Sequence, residues 1–178
     1  RLLEETLPPL KIQTVLGYPG GTEIDLAIER GEVQCRSFTI EAFFSREPYE
    51  TWRKKGFVRN IVQTGRARDP RLSDVPTMHE LMDRYKTPEA GRRLATIILA
   101  GGTLGRPMLG PPGIPPDRVK ILREAFAKTM QDPGFLDDIK KRKYELDPTT
   151  GEELEVIVKG AMTQPAEIIQ RLKKMLGN

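Results

Sequence analysis

The stretch VLGYPGGTEIDLAIERGEVQCR, residues 15–36, most limits what the chain can fold into. It reads as a strand, a glycine-rich turn, a helix and a second strand. The segment LKIQTVLGY carries the β-branched residues Ile12, Thr14 and Val15 and stops at Gly17, which predicts a strand. Thr22 is the expected N-cap of the helix, with Glu23 and Asp25 in its electropositive first turn. Ile24, Leu26, Ala27 and Ile28 supply an apolar face, and Gly31 supplies the stop. VQCRSFTI then predicts another strand. Two strands joined by one helix imply a right-handed parallel crossover. Glycines between a strand and a helix start raise the question of what the turn holds: a phosphate, a carboxylate or nothing.

Composition narrows the answer. The chain has 178 residues, 38% hydrophobic and 30% charged, the balance of a soluble globular protein. No apolar run approaches the ~20 residues needed to cross a bilayer. The net charge of +4 is modest and interleaved, and the basic clusters WRKKG and IKKRKY fall in the last turns of expected helices. A nucleic-acid binder would show a basic stripe with aromatics beside it. Small anions remain compatible with this charge. Cys35 is the single cysteine, so neither an intrachain disulfide nor a zinc cluster can form. No targeting segment follows Arg1, and the chain reads as a piece of something longer.

Further along, EAFFSREPYETWRKKG predicts a helical region around Pro48, rich in aromatics, and FVRNIVQTG predicts a strand ending at Gly65. Two helices follow, MHELMDRY after VPT and a second opened by TPEA with Pro88 in its first turn. RPMLG is a short extended run, and a proline-rich turn leads to two more helices. In the first of these, Val119, Leu122, Ala125, Phe126 and Met130 recur at amphipathic spacing. A threonine-capped helix in TTGEELEVIVKGAM and another in TQPAEIIQRLKKML close the chain. There is no internal repeat.

The turn GYPGGTE is not a Walker loop, since no Lys-Ser/Thr follows the glycines, nor does it have the G-x-G-x-x-G spacing. The N–H groups of Gly20, Gly21, Thr22 and Glu23, with the helix dipole behind them, could still meet an anion. Equally, the turn could be a tight connection needing positive φ, with Glu23 already using the dipole. Arg36, Ser37 and Thr39 follow on the expected second strand, whose carboxyl end would lie beside that turn. An arginine, two hydroxyls and a ring of amides describe a carboxylate site. The same arginine could be a solvated or ion-paired strand residue. His79, the lone histidine, reads as a surface or packing residue, and Cys35 as a small buried strand residue. Without a histidine or metal motif, no carboxylate pair stands out for acid–base work.

The order of motifs carries a resemblance. The segment GY.GG.E..LA.ERGEV, then R.PRLSDVPT..EL, then GRP...PPGIPPDRV..LREAF..TM.DP.FL, then GEEL resembles the Bug-type substrate-binding receptors of tripartite tricarboxylate transporters, over residues 10–153. It implies an α/β fold, a periplasmic-binding-protein-like (type II) lobe with a parallel-rich sheet. Residues 1–105 would form the ligand-cleft lobe, and residues 106–178 a return segment whose helices pack on a first lobe preceding Arg1. The ligand set it implies is Tyr18, Gly20, Gly21, Thr22, Glu23, Arg36, Ser37 and Thr39, gripping a small organic carboxylate. Many members have an aspartate-containing strand where this chain reads VQCRSFTI, so ligand preference does not transfer. The implied setting is the periplasm, with membrane permease subunits as partners, no nucleic acid, no metal, no cofactor and no catalysis. An enzyme domain holding a phosphorylated substrate at the glycine turn, or a module without ligand, are the rival readings. Apolar faces at Val119, Leu122, Phe126, Met130, Leu154, Ile157, Ile168 and Leu172 need covering. The stiff GPPGIPP segment resists a tight fold-back, which points to a homodimer or a domain-swapped pair.

Overall fold

A computed structural model describes residues 1–7, 10–142 and 144–177. Its helices are α1 (Leu2–Thr6), α2 (Gly21–Glu29), α3 (Ile40–Ser45), α4 (Tyr49–Lys54), α5 (Met78–Arg84), α6 (Glu89–Leu104), α7 (Pro116–Thr129), α8 (Pro133–Lys141), α9 (Gly151–Met162) and α10 (Ala166–Leu176). Helix accounts for 56% of the chain, and no strand forms among the described residues.

This corrects the α/β expectation. There is no parallel-rich sheet among the described residues, and α2 forms without the crossover that would have framed it. The segments expected as strands run without a ladder, apart from one parallel bridge between Gln63 and Thr77. The physical reason lies in their surroundings. Val15 and Leu16 are 49% and 80% exposed and Ile61 is 61% exposed, so neither a partner strand nor a packed face receives them. Strand preference in β-branched residues measures fit to a half-buried pleated surface, and without that surface it has nothing to act on. Cys35, expected to be buried on such a strand, is exposed for the same reason.

Helices need only local partners, and here they have them. Thr77 Oγ1 accepts the Glu80 N–H at 3.2 Å while the Glu80 carboxylate accepts the Thr77 N–H at 2.7 Å, a reciprocal cap on α5. Thr150 and Glu153 do the same for α9 at 3.2 and 2.9 Å. Gly31, at φ +73°, ends α2: its N–H donates to the Ile28 carbonyl and that of Glu32 to the Ala27 carbonyl. The aromatic region around Pro48 is two helices, because Pro48 takes the N-cap position of α4.

Two apolar clusters organise the chain. Phe43, Tyr49 and Trp52 are buried together, flanked by Ile28, Phe38, Phe44, Val58 and Leu72. Their rings meet at 4.8–5.4 Å in stacked and edge-on pairs, the arrangements that ring quadrupoles favour. The polar tip of Trp52 reaches out of this cluster, its Nε1–H donating to Glu29 at 2.8 Å and tying α4 to α2. The second cluster lies around α6, which packs on α1, α9 and α10. Leu94 and Ala95 are fully buried there, and Met78 and Met82 of α5 are nearly so. Arg92 donates to Asp83 and to the carbonyls of Met82 and Thr87, joining α6 to the end of α5.

Gly91 sets how closely α1 approaches α6. A Cβ there would lie 2.9 Å from the Thr87 methyl and 3.0 Å from the Glu5 carbonyl oxygen. Gly91→Ala is therefore expected to cost about 1–3 kcal/mol by overpacking, in spite of alanine's better helix propensity. Gly101, on the same helix, has open space where its Cβ would stand. Gly101→Ala should stabilise by up to ~1 kcal/mol. Paired urea unfolding curves check the contrast, and equal shifts for the two variants would refute the close approach.

Candidate functional site

The residues singled out in the sequence gather only in part. Gly20 is the N-cap of α2, at φ −164° and ψ −173°, with no side chain capping it. The cap is therefore Gly20 and not Thr22, which sits exposed in the first turn. Neither Gly20 nor Gly21 holds a positive φ; in this turn that conformation belongs to Gly17, at +99°. The N–H groups of Gly21, Thr22 and Glu23 face away from the helix with no carbonyl before them, as at any helix start. Glu23 curls back toward this end, so that a Cβ on Gly20 would stand 3.2 Å from its Oε2.

Arg36 comes to the same edge from the segment after α2. Its side chain is 14% exposed and ion-paired to Asp25 through Nη1, which also donates to the Gly21 carbonyl at 2.8 Å. Its guanidinium carbon lies 5.6 and 5.9 Å from the ring centres of Phe38 and Tyr49, within cation–π range. Ser37 is exposed and offers its carbonyl, at 3.4 Å from Arg36 Nε. Thr39 is committed elsewhere: its hydroxyl accepts the Ala42 N–H at 3.3 Å as the cap of α3. Tyr18 is half-buried on the irregular segment before α2. Arg36 and the Gly21 turn are thus brought together, and Thr39 and Tyr18 stand apart from them.

Two members of this cluster were not legible from sequence. Asp25, read there as a dipole partner, is 7% exposed and accepts from both Arg36 and the Tyr49 hydroxyl, the latter at 2.9 Å. A carboxylate inside the apolar face Ile24–Ala27–Ile28 was the available signal, because a buried acid needs a cation or donors. Tyr49, read only as an aromatic, is the second donor. Burial and the hydrogen bond to Asp25 push its phenol above the ordinary tyrosine value.

Chemically this is an internally neutralised cation beside a helix start. A carboxylate already occupies the guanidinium and the phenol, which shows what chemistry the pair accepts. An incoming anion would have to share Arg36 with Asp25 and displace Glu23 from the helix end. No group of histidine, cysteine or acidic residues that could hold a metal ion occurs among the described residues. His79 lies half-buried on α5. No helix among the described residues is long and apolar enough to cross a membrane. A surface depression of about 570 Å³ opens between α1 and α10, lined by Arg1, Glu4, Arg171 and Lys174, with no α2 residue in its wall.

No protein-family model, curated protein or solved structure matches this chain.

Removing the phenolic hydroxyl tests the cluster. Tyr49→Phe is expected to cost roughly 1.5–3 kcal/mol, the range for a hydrogen bond to a charged group. Folding raises the Tyr49 pKa, so its contribution is complete below the ordinary value of 10.0 and is lost as pH rises through the folded value. Tyrosinate absorbance against pH should show one late-titrating tyrosine in the parent protein, absent from Tyr49→Phe. Identical alkaline titrations would place Tyr49 outside the Asp25 cluster.

Proposed function

We propose that this chain serves as the carboxylate-contacting part of a solute-binding receptor, delivering a small organic acid to a tripartite tricarboxylate-type permease in the periplasm. The role is capture without chemical change. The observation that carries the reading is the Arg36 guanidinium held at the first turn of α2, where a fixed cation and unpaired amides share one accessible edge. The motif order GYPGGTE, LSDVPT and PPGIPPDRV adds to it, through the receptors it resembles. In this reading Gly20, Gly21 and Thr22 present amides and Arg36 grips one carboxylate oxygen. Glu23 in the first turn disfavours a dianionic phosphate more than a carboxylate.

One observation favours a second reading, a module without ligand: Asp25, Tyr49 and the Gly21 carbonyl already satisfy much of the Arg36–Asp25 pair. The two readings separate on variants of Asp25 and Gly21. If Arg36 grips a ligand, Asp25→Asn frees it and tightens carboxylate binding, whereas a purely structural pair gives only a less stable protein. A Cβ on Gly21 would already stand in van der Waals contact with Arg36 Nη2, at 3.5 Å, so the γ-methyls added by Gly21→Val should push the guanidinium aside and weaken binding.

Calorimetric titration with a panel of di- and tricarboxylates checks this. Arg36→Ala should weaken binding by roughly 1.5–3 kcal/mol, and Arg36→Lys should restore only part of it. Binding of phosphorylated metabolites but of no carboxylate would overturn the receptor reading in favour of an enzyme domain. Silence across both classes would favour the module without ligand.

A further inference from the structure

The chain exposes far more surface than a closed domain of its size. Its accessible area is 13324 Å², against about 8,700 Å² for a compact monomer of 20.1 kDa. Part of that excess lies on α7, α8 and α9, which bury no residue. On α7, Ile121 and Leu122 are 57% and 58% exposed, and on α9 Val156 and Met162 are 72% and 77% exposed. Ion pairs nevertheless tie α7 to α9. Arg123 of α7 donates to Glu152 at 2.8 Å and to Glu155 at 2.6 Å, both on α9.

Helical periodicity puts Asp117, Lys120, Glu124 and Lys128 in one row on α7, with Ile121 alongside. Their charges alternate in sign, and the row is solvent-facing: Asp117, Lys120 and Glu124 are 73%, 78% and 56% exposed. Within the row Lys120 and Glu124 make only a loose contact, at 3.9 Å. Such a row is complementary to itself when turned end for end. An antiparallel copy about a two-fold axis near residue 122 sets Lys120 against Glu124 and Asp117 near Lys128, each pair made twice, as an isologous contact requires. Ile121 from each chain flanks the axis and gives the contact an apolar centre.

We propose that the exposed face of α7 is a homodimer interface, in which a second copy of this chain packs antiparallel on the first. Charge selects that occupant, and the chain has the area to spare for it. A stable interface covers about 800 Å² per partner and obligate dimers cover more, amounts that the surplus surface here readily supplies. A partner of one charge sign would leave half of the alternating row opposed by like charge. This association does not depend on a carboxylate ligand.

Sedimentation velocity on the full chain, over a wide concentration range, tests the interface. The parent protein should show a monomer–dimer equilibrium. Lys120→Glu and Glu124→Lys, each alone, should raise the dimer dissociation constant by at least about tenfold, because like charges then face each other twice. Lys120→Glu with Glu124→Lys in the same chain should restore dimerisation, since the swap regenerates both pairs. Ile121→Asp should yield monomer. All three positions are exposed, so unchanged helical circular dichroism confirms folding in every variant. A parent protein that stays monomeric, one that assembles only with a different chain, or a dimer unmoved by the single variants would each overturn the proposal.

Discussion

The carboxylate of Asp25 is the group around which the first third of the molecule is arranged. It is buried within the apolar face of α2, where an uncompensated charge would be costly. Compensation comes from outside the helix, from the Arg36 guanidinium and the Tyr49 hydroxyl. Meeting that need draws the segment after α2 back across its first turn and seats α4 beside it. Stacking of Phe38 on Phe43 and Tyr49 then closes the aromatic cluster over the same place. One buried acid thereby positions the arginine on which any anion chemistry at this edge depends.

Elsewhere small polar groups do the organising. Gln63 is used on every side: its backbone bonds to Pro76 and Met78, and its side chain to Leu72, Val75 and Asp69. The loop before α5 is gathered around that one amide and delivers Thr77 to its capping position. Glu80 completes the cap while Arg68, and then the Thr77 N–H, hold its carboxyl below the ordinary carboxylate range. Folding lowers that pKa, so the contribution is present above the unfolded value and fades as pH falls through the folded one. Asp69 follows the same rule through Arg71, whose guanidinium also lies 4.3 Å from the Phe44 ring centre. Ionised side chains therefore link the two apolar clusters, and acid weakens those links.

The distribution of burial is uneven. α6 is the spine of its cluster because it alone offers a long face of small and aliphatic residues, with Gly91 letting α1 settle against it. By contrast, α7 and α8 are amphipathic yet bury nothing. Pro116 and Pro133 open these two helices and Asp132 caps the second, so they are specified locally before any surface receives them. Helix formation and helix burial are separate events in this chain.

That separation explains what could be read from the sequence. Most helices were legible, though not α1 or the start of α3, because caps, first-turn prolines and stopping glycines act within a few residues: Thr77, Thr150, Pro116 and Gly31 each do what their neighbours require. The strands were not, because a strand exists only in its ladder, and no local pattern at residues 10–18 or 57–65 says whether a partner will arrive. Of the candidate site, the sequence determined the ingredients: a glycine helix start and an arginine after it. Only the tertiary structure decided that Arg36 turns to Asp25, that Tyr49 joins them from 24 residues away, and that Thr39 is spent as a cap. Pairing between distant residues depends on how the helices pack, and packing is set by long-range contacts that local periodicity does not encode.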